Sequence, residues 1–163
     1  MIFEHLHSAC ADGNSIEARK AMALASYYGG LAFTRTSVGY VHAIAHTFGA
    51  YYRTPHGLAN AIALPYVLEF SMGSTEGRLA RLADVIGCVG CVGTSDREKA
   101  ERFIEAVRDL MAKIDIAPNL DALIESDITP IARQALAEAH LNYPVPRYMS
   151  QLQCEGLLRE MLA

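Results

Sequence analysis

The sequence predicts an all-α protein, a helical bundle forming a single domain over residues 1–163. Apolar residues recur at three- and four-residue spacing along most of the chain, and helix-forming residues dominate it. Runs of alternating β-branched residues are few, so no strand is expected. The length of 163 residues suits one core, and 52% hydrophobic with 20% charged residues is ordinary for a globular chain.

Ser15 is placed to cap a long core helix that runs to about Phe33, its last turns weakened by Gly29-Gly30. A second helix is expected from about Ser37 to Phe48, ending near Gly49. Thr54-Pro55 then offers an N-cap followed by proline at the first helical position, so a third helix starts in the turn of His56. Pro65 kinks or divides it, because proline donates no interior hydrogen bond. After the punctuation Met72-Gly73-Ser74-Thr75, residues 76–86 read as a short amphipathic helix that gives way to the small-residue loop GCVGCVG. Asp96 to Ile114 is the clearest amphipathic helix: Phe103, Ile104, Val107, Leu110, Met111 and Ile114 share a stripe from which Arg102, Glu105, Arg108 and Asp109 are absent. Helical pieces over about Leu120 to Glu125 and Pro130 to His140 lead to the extended connector NYPVPRY, and a last helix covers about Ser150 to Leu162.

The formal charge of −4, from 14 Lys+Arg against 18 Asp+Glu, provides no basic footprint for nucleic acid or for an anionic membrane. The N-terminus has neither the basic flank nor the apolar run of a signal peptide, and no apolar stretch reaches membrane-spanning length. A cytosolic location follows as the expectation. There the four cysteines, Cys10, Cys88, Cys91 and Cys154, are expected to be reduced core thiols rather than a disulfide framework. Cys88-Val-Gly-Cys91 lacks both a second CxxC for zinc and a βαβ setting for redox work. The same loop follows a helix and ends in no Lys-Ser/Thr, so it is no phosphate cradle. The pairs Tyr27-Tyr28 and Tyr51-Tyr52 suit core or interface packing, and His5, His7 and His140 are given no site role.

Chemistry concentrates in GYVHAIAHTFGAYYRTPHGLANA, which holds three of the six histidines. His42 and His46 stand four apart, on one face of a helix. About 10 Å of helix and a connector able to span about 17 Å separate His42 from His56, enough for the chain to fold back and bring the two together. Spacing alone favours helix-face histidines satisfied by hydrogen bonds over a metal site, since HxxxH by itself is a common accident. A metalloprotease is excluded, since that motif needs Glu after its first histidine and position 43 is Ala.

The glycine followed by HAxAH, a second glycine two residues on, and PHG with AN after it closely resembles the second signature of the iron-containing alcohol dehydrogenases. The likeness extends to ARKAMALASYYGGLAF, AIALPYVLEFS, RLARLADVIG and the Asn-Tyr-Pro-Val-Pro connector, nearly the whole chain. Thr47 stands where many relatives carry proline. The resemblance implies a dehydroquinate synthase-like α domain, the C-terminal metal-binding half of the family's fold. The start of that half and the nucleotide-binding domain before it are expected to be missing. It implies iron(II) or zinc as the metal, NAD or NADP as cofactor, and hydride transfer between a small alcohol and its aldehyde. His42 and His56 match two of the family's four metal ligands, and the other two belong to a DxxxH helix that occurs nowhere in this sequence. His46 matches the histidine near nicotinamide and substrate, a candidate for cofactor contact and for proton relay or positioning.

Two functional expectations follow. The chain is the metal-binding part of an alcohol dehydrogenase, inactive until a nucleotide-binding part is supplied within a longer protein or by a separate chain. Alternatively it is a truncated or degenerate helical module without redox turnover, a homo-oligomer or one awaiting a partner.

Overall fold

A computed structural model describes residues 1–88 and 93–163. The described residues form seven helices and no strand, as the sequence predicts: α1 (Ile2–Ala11), α2 (Ile16–Thr36), α3 (Tyr40–Tyr52), α4 (His56–Ile86), α5 (Asp96–Lys113), α6 (Glu125–Asn142) and α7 (Gln151–Arg159). Serines begin three of them. The Ser15 hydroxyl accepts from the Ala18 N–H at α2, while Ser95 with Glu98 and Ser150 with Gln153 form reciprocal capping boxes at α5 and α7. None of the described helices is long and apolar enough to cross a membrane.

Two apolar clusters make the core. In the larger one α3, the first half of α4, α6 and α7 meet through Ile44, Phe48, Ile62, Ile128, Ile131 and Leu158. In the smaller one the second half of α4 packs on α5 through Leu79, Ala83, Phe103, Ile104 and Val107, with Phe3 of α1 against it. α4 and α5 run antiparallel, since Lys99 pairs with Asp84 at 2.8 Å and Arg108 with Glu69 at 2.7 Å.

Several expectations are corrected. α4 is one helix of 31 residues, neither divided at Pro65 nor broken at Met72–Thr75. Pro65 is buried in the core, Thr75 returns its hydroxyl to the Ser71 carbonyl at 3.0 Å, and packing on α5 outweighs the local helix breakers. Pro130 likewise lies inside α6, which starts at Glu125. Residues 120–124 are a turn rather than a helix, because Leu120 donates its N–H to the Met161 carbonyl and both Leu120 and Leu123 enter the larger cluster. α3 starts at Tyr40, after Ser37 at φ 60° and the N-cap Gly39, and it continues through Gly49. Thr54 does not cap α4; Pro55 holds the N-cap position without a side-chain bond. α7 ends at Arg159, short of the predicted Leu162.

α2 is as long as predicted but is not a core helix. It packs on α1 and buries only Ala18 and Ala25, leaving Leu24, Tyr27, Tyr28, Leu31 and Phe33 exposed. Tyr51 is exposed too, whereas Tyr52 is half-buried and donates its hydroxyl to Asp127 at 2.7 Å. Of the three described thiols only Cys154 is in the core, where burial, with a smaller contribution from the Glu155 charge, pushes it up to about 12. Cys10 is exposed, Cys88 is half-buried, and Cys91 lies outside the described residues together with the middle of the CxxC loop.

Candidate functional site

The corner between α3 and α4 builds the site. α3 is terminated by Arg53 in the left-handed conformation, φ 57°, whose N–H returns to the Gly49 carbonyl at 3.0 Å. Thr54 and Pro55 then reverse the chain, and His56 opens α4. The two helices pack on one another in the larger cluster, to which Ala43 and Ala45 of α3 and Ala59 and Ala63 of α4, all buried, contribute.

Three imidazoles are brought together here, as the spacing predicts. Ring centroids are 6.1 Å apart for His42 and His46, 5.5 Å for His42 and His56, and 5.4 Å for His46 and His56, the last pair stacked at 18°. Burial, then the charges of His56 and His46, lowers the His42 pKa. This favours the neutral imidazole, the form that donates a lone pair to a metal. Among the described residues no group of three or more His, Cys, Asp or Glu could hold a metal ion. The donor set thus fits half a coordination sphere, two imidazoles without a carboxylate, and not a whole one.

Each of the two other rings has a polar partner that the sequence reading did not find. The Asn60 amide donates to the His56 backbone carbonyl at 2.8 Å and lies 3.1 Å from His56 Nε2. Its Oδ1 is buried and has no protein partner, an acceptor one helical turn beyond His56. His46 Nδ1 lies 2.7 Å from Glu138 Oε1 on α6, and the Tyr143 hydroxyl donates to the same oxygen. Asn60 stands at i+4 from His56, a spacing open to inspection, but 92 residues separate His46 from Glu138. His140, in the last turn of α6, is apart from this cluster, with its ring stacked on Tyr148 at 3.8 Å.

Burial opposes ionisation of Glu138, but hydrogen bonds from Tyr143 and His46 and the charges of His46 and His42 hold its carboxyl below the ordinary value of 4.5. A folded-state value below the unfolded one contributes stability that is complete above the unfolded pKa and is lost as pH falls through the folded one. The melting temperature of Glu138→Gln is therefore expected to lie below that of the wild type at neutral pH and to converge on it as pH falls well below 4.5. An offset that stays constant across that range would show that the carboxylate contributes nothing by ionising.

Residues 1–162 match the model of the Fe-containing alcohol dehydrogenase family, C-terminal. The chain is 34% identical over 162 residues to 1,3-propanediol dehydrogenase of Citrobacter freundii, covering 98% of this chain and 41% of that protein. It is 38% identical over 122 residues to lactaldehyde reductase of Escherichia coli (strain K12), covering 74% of this chain and 32% of that one. The crystal structure of a 1,3-propanediol oxidoreductase superposes with a TM-score of 0.93 at 33% identity, over 98% of this chain and 42% of the other. The chain spans about two fifths of the length of 1,3-propanediol dehydrogenase.

Proposed function

Because the chain belongs to the Fe-containing alcohol dehydrogenase family, whose C-terminal model it matches almost from end to end, we propose that it supplies part of the metal centre of a cytosolic alcohol dehydrogenase. The observation that carries this reading is the approach of His42 to His56 across the α3–α4 corner, ring centroids 5.5 Å apart. The two side chains are the donors for a divalent metal, iron(II) or zinc, and the remaining ligands come from residues outside this chain's one helical domain. A bound metal of this kind supplies Lewis-acid polarisation of an alcohol or aldehyde oxygen, and NAD or NADP supplies the hydride-carrying ring.

The chain's own residues do the rest. His46 stacks on His56 with Nδ1 turned to Glu138, which leaves Nε2 to meet cofactor and substrate. The hydroxyl proton released when an alcohol is oxidised would pass to His46 Nε2 and on to water. A nucleotide-binding polypeptide, continuous with this chain or separate from it, is the partner the reaction requires.

The exposed apolar face of α2 favours a second reading, a helical module that associates through this face, with its own copies or with another chain, and performs no turnover. Anaerobic titration of iron(II), and of zinc, into the metal-free chain separates the two. His42→Ala and His56→Ala are each expected to weaken binding by more than about tenfold. Binding indifferent to both substitutions would remove the proposed metal centre and leave the second reading.

A further inference from the structure

We infer that Glu138, held in turn by Tyr143, is the positioning residue that fixes the orientation and tautomer of His46. The inference deepens the functional reading above and rests on it for the use to which His46 is put, but not for the geometry. α6 packs against α3, and its buried stripe of Ala132, Ala135 and Ala139 seats the helix close enough for Glu138, at the edge of that stripe, to reach across to His46. One carboxylate oxygen receives two donors, the Tyr143 hydroxyl and the His46 ring at 2.7 Å. Tyr143 is itself anchored, since its N–H closes α6 on the Ala139 carbonyl at 2.9 Å. The carboxylate is thus clamped from the side away from the site.

A carboxylate only accepts, so the short contact requires a proton on His46 Nδ1. Nε2, on the far edge of the ring, is then the atom left with a lone pair. The anchor matters because the His46 side chain is 43% exposed, and no other described hydrogen bond restrains the ring. Without Glu138 the ring rotates about its side-chain torsions and the neutral imidazole returns to the Nε2–H form it prefers in water. A relay that needs an unprotonated Nε2 facing the reaction would lose both its direction and its lone pair.

Nitrogen-15 imidazole spectra of the intact chain test this without any turnover. In the wild type neutral His46 is expected almost wholly as the Nδ1–H tautomer. Glu138→Ala is expected to lower that population several-fold, Tyr143→Phe to lower it less, and Glu138→Gln, whose side-chain carbonyl still accepts, to keep it near the wild-type level. His140 serves as internal reference: its Nε2 is hydrogen-bonded to the Tyr40 hydroxyl at 3.0 Å, apart from Glu138, and its spectrum should not change. A His46 tautomer unchanged in Glu138→Ala, with His140 native-like, would overturn the inference. Iron(II) titration of the same variant keeps the two readings distinct. Loss of metal binding from the wild type would sink the functional reading and leave the tautomer result standing.

Discussion

Phe48→Ala is expected to lower the free energy of unfolding by about 3–5 kcal/mol, measured by denaturant titration. The ring is fully buried in the larger cluster, where α3 meets α4 and α6. Truncation removes its transfer free energy and leaves a cavity that neighbours such as Ile44 and Ile62, themselves fully buried, have little room to fill. Phe48 also sits at the base of the α3–α4 corner, its carbonyl accepting from the Thr54 N–H, so the same cavity loosens the turn that brings His56 back to His42. A loss below about 1 kcal/mol would mean that the corner collapses onto the space and does not depend on the ring.

Tyr40→Phe is the second large effect, and its origin is polar. Tyr40 is 2% exposed, its hydroxyl oxygen accepts from the Met149 N–H at 2.9 Å, and the same hydroxyl lies 3.0 Å from His140 Nε2. Removing the oxygen strands the N–H of a fully buried residue, a cost of about 1–3 kcal/mol. Burial raises the phenol pKa above 10.0 against the Met149 bond, which lowers it. A raised folded-state value contributes stability that is complete below the unfolded pKa and lost as pH rises through the folded one. The deficit of Tyr40→Phe should therefore persist through neutral pH and narrow only at strongly alkaline pH; a denaturant midpoint equal to the wild type at pH 7 would contradict the role given to the hydroxyl.

What the sequence makes legible is local. Ser15, Ser95 and Ser150 begin helices by bonds to residues three positions on, and each start is foreseen within a residue. His42, His46 and His56 belong to one stretch of 15 residues, so helix pitch and connector reach suffice to bring them together. What it hides is decided at a distance. Nothing near Met72-Gly73-Ser74-Thr75 announces that α5 will hold α4 straight, and nothing near Leu120 announces that Met161 will take its N–H. The α2 pattern of apolar residues reads as a core stripe, yet in the fold α2 packs chiefly on α1 and buries only two alanines. Glu138 escapes detection for the same reason: a glutamate among alanines is unremarkable until α6 is laid beside α3.

The corner of Arg53, Thr54 and Pro55 bears on how this chain would take up an ion. It holds His42 and His56 at a fixed spacing before anything binds, because the apolar packing of α3 on α4 has already ordered both backbones. An ion captured by one imidazole therefore meets the other at an effective concentration far above that of free histidine, with no loop left to close. In the proposed metal centre the pair would act as a rigid chelate, its grip set by the buried α3–α4 packing, Phe48 included, as well as by the imidazole nitrogens themselves.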